Sequence, residues 1–386
     1  MKTPLAWLNL THQKKRTIVA VAGVSFAALL VFMQLGFYGA ALGTATLIYD
    51  QLDFDIVILS PQYIDINRPG AFPTDRLYQA QSVPGVNFAA PLLISPGPWR
   101  NADAPPKYAY KPQTIMIIGF RPQDAVFRRD GRGIQKLIDR HREELQKPGE
   151  ALIDRRSHAE FGNFEPGQNV EVGPQRVEIV DQFTIGTGFG ANGLILVSDA
   201  TFRRIRQFPQ GQASLGLIRV APGVNAAEVA ERLNEILPAD ARALTARQLK
   251  DRERSHWVEQ TSIGLIFRLG VGVALFVGVV FVYQVIASDI SNRLNEFATL
   301  KAMGYGPIYL ALVVMQQAAL IALLGYLPSL AGALGLYALA RGTTGIPIGM
   351  DLGRAVLVFV LTVAMCSASG VLALRKVQSA DPAELF

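Results

Sequence analysis

The chain has 386 residues, is 50% hydrophobic and only 18% charged, and has a mean hydropathy of +0.25, which excludes the ordinary soluble class. Asp50–Arg268 holds 27 of the 37 Lys+Arg and 26 of the 31 Asp+Glu, leaving 10 basic and 5 acidic residues for the rest of the chain. The formal charge of +6 therefore sits mostly beside apolar runs and gives no basic face for nucleic acid.

In chain order, Lys2, Lys14, Lys15 and Arg16 precede the first apolar run, and Thr3-Pro4 sets an N-cap before a proline at a first helical position. Leu5, Trp7 and Leu8 make residues 1–16 either an amphipathic segment at the inner membrane surface or a basic tail. The uncharged run Thr17–Tyr49 is 33 residues long, far beyond a signal-peptide core of about 7–15, so it is expected to remain as an anchor with its span at 17–43.

The charged segment 44–261 follows. Apolar, β-rich runs occur at Phe54–Ser60, Thr114–Phe120, Val177–Ile185, Gly193–Ser198 and Ser214–Val220. "NAAEVAERLNEIL" has Asn225 and Glu228 at capping-box spacing, with Val229, Leu233 and Ile236 as its apolar stripe. An α+β domain of two lobes is expected, with the Pro- and Gly-rich region Asn67–Lys111 draped over it as loops. The one cysteine, Cys366, lies in the last apolar run, so this domain depends on its core rather than on disulfides. Thr245–Arg268, "TARQLKDRERSHWVEQTSIGLIFR", is a charged helical pattern running into the second apolar run, and predicts one long helix, part stalk and part span.

Three further uncharged runs, Leu269–Ser288, Ala302–Ala340 and Ala355–Leu374, are each 20 residues or longer, the length needed to cross about 30 Å of hydrocarbon. They place spans at 262–288, 307–340 and 355–374, with a cytoplasmic helix at 289–306, a short external loop at 341–354 and a tail at 375–386. The third run is 39 residues long and is expected to be one helix kinked near Pro328. Arg375 and Lys376 follow the last span, so both ends are cytoplasmic, although Arg341 and Arg354 bracket the external loop. Residues near Asn163 and Gly190 are then extracytoplasmic.

Catalytic signatures are sparse. His12, His141, His158 and His256 are scattered without metal-ligand spacing. "GTGFGANG", Gly186–Gly193, precedes the strand-like "LILV" rather than a helix and reads as a mobile loop instead of a dinucleotide fingerprint. There is no G-x-x-x-x-G-K-[ST], so this chain does not cradle phosphates in the P-loop manner, and if ATP is used another chain must bind it. The four apolar runs carry no charge, and Gln34, Gln284, Gln316 and Gln317 suit hydrogen bonds between helices. Gly39 and Gly43, and above all Gly270, Ala274 and Gly278, repeat every four residues; the latter three are the candidate seam of a homodimer.

Between the second and third runs lies "SDISNRLNEFATLKAMGYGPIYL", Ser288–Leu310, where Ile290, Leu294 and Phe297 recur at helical spacing. This stretch resembles the E-x-A-x-L-[KR]-A-x-G segment of the FtsX/MacB-type permeases of ABC exporters, matched by Glu296, Ala298, Leu300, Lys301, Ala302 and Gly304, with Phe297 where the family usually has isoleucine. The terminal Arg375, Lys376 and "ADPAEL", with Asp381, Pro382 and Ala383, looks like the family's closing signature, and Ala151–Gly173 is similar to its external pattern. "PLAWLNLTHQKKRT" and "YDQLDFDIVILS" are most similar to the DevC-type permeases of cyanobacteria.

The resemblance implies a MacB-like topology: four transmembrane helices with a large α+β periplasmic domain between the first and second, in the inner membrane. It implies that the chain is not itself an enzyme and holds no cofactor, ATP and Mg²⁺ being bound by a separate ABC ATPase. The cytoplasmic helix would seat in that ATPase through Leu294, Phe297, Leu300, Ala302 and Met303, with Arg293, Glu296 and Lys301 as polar contacts and Gly304 ending it. A second permease copy, a periplasmic adaptor and an outer-membrane channel would complete an exporter, its strokes passed outward mechanically to glycolipid or other lipid-like cargo. The alternatives are a lipoprotein-releasing permease and an FtsX-like non-transporting regulator of cell-wall hydrolases.

Overall fold

The computed structural model describes residues 14–101, 113–162, 164–186, 192–292, 307–344 and 347–378. They divide into a helical unit and an α+β unit, the latter running from Ala41 to Thr261 with Pro347.

The helical unit contains most of α1 (Lys14–Ala45) and three later helices. Among the described residues four helical stretches are long and apolar enough to cross a membrane: Thr17–Ala45, Gly264–Ser288, Ala311–Thr343 and Leu352–Ala373. Each is apolar around its whole circumference, as expected for helices with no water-facing side. Small residues let the helices of this unit approach. The Cβ that Gly23 lacks would overlap the Phe281 ring, that of Gly325 would lie 2.5 Å from Val24 Cγ1, and that of Gly36 2.5 Å from Tyr337 Cζ. The Tyr337 hydroxyl donates to the Phe32 carbonyl.

The α+β unit adds, in chain order, β1 (Ile56–Leu59), β2 (Phe72–Pro73), α2 (Asp75–Gln81), β3 (Val86–Arg100), β4 (Gln113–Phe120), α3 (Ile134–Arg140), α4 (Arg142–Gln146), β5 (Glu150–Asp154), β6 (Asn169–Val172) and β7 (Gln175–Phe183). Then come β8 (Leu194–Ser198), α5 (Asp199–Arg206), β9 (Gln212–Ala213), β10 (Leu215–Val220), α6 (Ala226–Ile236), β11 (Arg242–Thr245) and α7 (Ala246–Ser255). Among the described residues nine of these strands form one sheet, ordered β11-β1-β10-β3-β4-β8-β5-β7-β6, and β2 pairs with β9 apart from it. One sheet runs through the whole unit, so the two expected lobes share a common backbone. Ile56 and Ile58 of β1 point to one core, with Leu77 of α2, Phe202 of α5 and Leu233 of α6. Val57 and Leu59 point to the other, with Ile138 of α3, Leu145 of α4 and Leu249 of α7. Burial on both faces explains why β1, β4, β8 and β10 read as continuous apolar runs, whereas β6 and the start of β7 alternate buried and exposed residues.

The five expected strand runs correspond to β1, β4, β7, β8 and β10. The expected loop at Asn67–Lys111 is a correction, because it contains α2 and the 15-residue β3. Its prolines misled because β3 changes partner along its length. Residues from Val86 to Leu92 pair with β10, and those from Leu93 to Trp99 with β4. Each proline in such a strand needs only one edge free of hydrogen-bond demand. The end of β3 also pairs with β6, Trp99 opposite Val172, which closes β3, β4, β8, β5, β7 and β6 into a circuit. Trp99 fills it, its indole N–H donating to the Phe161 carbonyl at 3.2 Å. At the other end of the sheet, Asn234 of α6 donates to the Ala243 carbonyl of β11 at 2.9 Å and accepts from its N–H at 2.8 Å. Asn225 caps α6 as expected, accepting from Ala227 N at 3.0 Å, but Ile236 of the expected stripe is exposed.

The stalk is also corrected. α7 starts at a capping box formed by Thr245 and Gln248 and ends at Ser255. One π-helical turn, His256–Gln260, follows; Thr261 is then extended (φ −108°, ψ 155°) and α8 (Ser262–Asn292) begins anew. Thr261 Oγ1 donates back to the Trp257 carbonyl at 2.5 Å, which satisfies an acceptor at the broken end. α9 (Pro307–Thr344) is one helix with Pro328 inside it, as the length of its apolar run implied, and α10 (Leu352–Gln378) is the last.

A close strand-helix approach in the α+β unit gives a stability test. A Cβ on Gly119 of β4 would sit 2.5 Å from Phe202 Cβ of α5. Gly119→Val is expected to cost about 1–3 kcal/mol by overpacking, read as a lower Tm of the purified chain, with Gly119→Ala intermediate.

Candidate functional site

The expected ATPase-contact residues, Arg293, Leu294, Glu296, Phe297, Leu300, Lys301, Ala302, Met303 and Gly304, lie outside the described residues. So do Asn163 and Gly190. The flanking helices are described: α8 ends at Asn292 and α9 begins at Pro307.

The stripe expected to be a dimer seam, Gly270, Ala274 and Gly278, packs against helices of its own chain. A Cβ on Gly270 would lie 2.5 Å from Gln34 Cδ of α1, and one on Gly278 would meet Met365 of α10 and lie 2.9 Å from Ala27 Cβ of α1. Ala274 is buried in a cluster with Ala28, Val31 and Phe32. The small-residue face of α8 is thus filled within its own chain, where close approach to α1 and α10 demands residues of that size. Ser369 Oγ of α10 donates to the Val279 carbonyl at 3.0 Å beside it. The opposite face of α8 exposes Ile266, Leu269, Val273, Phe276 and Val280, a stripe at helical spacing suited to lipid. Gly39 packs against the Arg354 guanidinium, and Gly43 has no neighbour at the Cβ position.

A polar cluster missed in the sequence sits where the α+β unit continues into α1 and α8. Tyr49 follows α1 on a short 3₁₀ turn, Tyr63 and Asp65 lie in the loop after β1, and Glu253 and His256 lie at the end of α7. The Tyr49 and Tyr63 hydroxyls are 2.6 Å apart. Tyr63 donates to Glu253 Oε1, and Tyr49 Oη lies 3.2 Å from the same oxygen. Glu253 is 0% exposed. Arg252 donates to the Tyr63 carbonyl at 2.6 Å, with its guanidinium 5.5 Å from the centre of the Tyr63 ring. Asp65 Oδ1 accepts the N–H groups of Asn67 and Arg68 at 2.8 and 2.9 Å, and Oδ2 pairs with Arg68 at 2.9 Å and His256 at 3.2 Å. A more exposed pair, Lys250 to Asp50 at 2.7 Å, joins the same two segments.

Burial dominates the electrostatics of this cluster. It pushes the Glu253 carboxyl up to about 7, with Asp65 raising it further, against the lowering effect of the tyrosine hydroxyls and Arg252. The hydroxyls of Tyr49 and Tyr63 are pushed well above the ordinary phenol range, first by burial; the Glu253 charge raises both, and Tyr63 raises Tyr49, whereas the hydrogen bond with Tyr49 works the other way on Tyr63. Glu253 was hidden in the charged run "QLKDRERSHW", which reads as a solvated helix. The available signal was its spacing: Leu249, Glu253 and Trp257 are four apart, and Leu249 is fully buried.

Four membrane-length helices with a large α+β unit between the first and second define a multi-pass membrane protein with an extracytoplasmic domain. Residues 17–236 match the MacB-like periplasmic core domain, and residues 268–382 match the FtsX-like permease C-terminal domain. The chain belongs to the FtsX/MacB-type permeases, the permease component of ABC transporters. Among solved structures, the periplasmic region of MacB from Actinobacillus actinomycetemcomitans is similar at 11% identity and a TM-score of 0.36, covering 53% of this chain and 94% of that one. The extracellular domain of the ABC-type transporter YknZ from Gram-positive bacteria is similar at 13% identity and a TM-score of 0.33, covering 50% and 100%. No curated protein matches the chain.

Whether the stripe also meets a second copy is directly testable. Ala274→Cys, a small change at a buried position of the stripe, in a Cys366→Ser background is expected to leave its thiol buried within one chain. Non-reducing electrophoresis checks this: monomers with low thiol reactivity are expected, whereas crosslinked dimers would place the stripe at a dimer seam.

Proposed function

We propose that this chain is the permease subunit of an ABC exporter driven by a separate ATPase that seats on Arg293–Gly304. The observation that supports this most is the placement of that segment. It falls inside the region matching the FtsX-like permease C-terminal domain, between two membrane-length helices, and carries the E-x-A-x-L-K-A-x-G pattern from Glu296 to Gly304. Phe297 and Leu300 supply apolar anchors and Glu296 and Lys301 polar ones, the mixture from which interface hot spots are built. ATP and Mg²⁺ belong to the partner, since the sequence has no phosphate-binding loop of the Walker type.

Each unit contains two permeases and two ATPases. Nucleotide-driven closure of the ATPases moves α8, and the movement passes through Thr261 and the π turn into α7. The broken geometry favours a hinged pair over the single rod expected from sequence. At α7 the movement meets the cluster of Glu253, Tyr49 and Tyr63, which bonds it to the segment following α1. The α+β unit works in turn on an adaptor and an outer-membrane channel. The DevC-like sequence stretches favour a glycolipid or another lipid-like cargo.

Glu296→Ala with Phe297→Ala is expected to lower recovery of the ATPase that co-purifies with the unaltered chain by more than about tenfold, with loss of permease-stimulated ATP hydrolysis. Unchanged recovery and unchanged stimulation would overturn the coupling role. For orientation, Gln210→Cys in the Cys366→Ser background is exposed on the α+β unit. It is expected to react with an impermeant maleimide while the inner membrane is intact; labelling only after that membrane is opened would invert the topology.

A further inference from the structure

We propose that Glu253 is a proton-binding site that latches together the two segments joining the α+β unit to α1 and α8. With a proton on Oε2, the carboxyl holds Tyr49 and Tyr63 against α7; when the proton leaves to solvent, α7 is released from them.

The placement of hydrogen-bond donors argues for the protonated form. Both tyrosine hydroxyls lie on Oε1, and Oε2 is buried with no hydrogen-bond partner among the described residues. An ionised carboxylate would leave half its charge on an oxygen with neither donor nor water-exposed surface, a costly arrangement in a dry site. A neutral acid leaves only one O–H there.

The surrounding charges do not supply the missing compensation. From α7 itself, Arg252 acts favourably on Glu253 from a distance, but its guanidinium is bonded to the Tyr63 carbonyl. His256 pairs with Asp65. From the loop after β1, Asp65 acts on Glu253 as a like charge, and Arg68 is paired with Asp65. From the segment after α1, Tyr49 is neutral, and Asp50 is engaged with Lys250 and with Thr46 Oγ1 at 3.1 Å. Uptake of a proton is therefore the route to neutrality.

The position gives the titration its consequence. Tyr49 is four residues beyond the end of α1, and Glu253 is nine residues before the start of α8. One carboxyl thus bridges the two connecting segments of the α+β unit. Its folded value of about 7 stands above the ordinary 4.5, so between those limits the folded chain holds the proton that the unfolded chain has lost. The stability contributed is complete below that window and is lost as pH rises through the folded value.

The test uses the purified whole chain in lipid nanodiscs without any ATPase, so it stands or falls separately from the motor assignment. Amide hydrogen exchange, corrected for intrinsic rates, is followed at about pH 5.5 and about pH 8.5 over residues 49–63 and 246–260. Exchange in both segments is expected to accelerate by about tenfold or more at the higher pH while β4 and β8 stay protected. Glu253→Gln, which keeps the acceptor and replaces the acid O–H by an amide, is expected to stay protected at both. Tyr63→Phe removes a donor that favours the ionised form and is expected to move the midpoint upward. An equal pH response in the unaltered chain and Glu253→Gln, no response in the unaltered chain, or a midpoint that stays put or falls in Tyr63→Phe would each overturn the latch.

Discussion

The α+β unit depends on one constraint above others: its central sheet is dry on both faces. With the chain's single cysteine in α10, no disulfide restrains the sheet's loops, and its stability rests on apolar side chains directed alternately into two cores. Ile56 and Ile58 serve one while Val57 and Leu59 serve the other, so a slip of one residue in β1 would exchange the two sets. Helices are then obligatory on each side. α2, α5 and α6 cover one core, and α3, α4 and α7 the other, which brings α7, the helix leading to the second span, to the same side of the sheet as Tyr49 and Tyr63.

That arrangement puts a polar cluster where an apolar one would have sufficed for stability. Two phenols, a fully buried carboxyl, and a histidine-aspartate pair draw together the segment after α1, the loop after β1 and the end of α7. Removing a single partner would leave others buried without compensation, so the cluster fixes position more strictly than an equal area of leucine would. In the helical unit the corresponding role falls to small residues. Gly23, Gly36, Gly270, Gly278 and Gly325 each stand where a side chain would overlap a neighbouring helix.

What the sequence disclosed followed from how strongly burial imprints a pattern. Doubly buried strands leave unbroken apolar runs, and β1, β4, β8 and β10 were legible for that reason, while β7 was legible from the alternation of Val177 and Ile179 with exposed charged residues. β3 was not, because Pro91, Pro96 and Pro98 are ordinarily signs of a loop; only the change of partner from β10 to β4 makes room for them. The stripe Gly270, Ala274 and Gly278 was legible as a packing surface, but spacing alone cannot distinguish a neighbouring helix of the same chain from a second copy. Glu253 was obscured by its neighbours: six charged residues between Lys250 and Glu259 suggest water on every side, and only Leu249 and Trp257, one helical turn away in each direction, mark the inward face.

Both ends of the nine-stranded sheet are stopped. At one end β6 is paired on both sides, through its bonds to β7 and to the tip of β3. At the other, the carboxamide of Asn234 occupies the outward N–H and C=O of Ala243, as the backbone of an additional strand would. The two ends of the sheet are thereby protected from zipping edge to edge onto another copy. A partner at either of these ends is met by side chains and loops, not by an added strand.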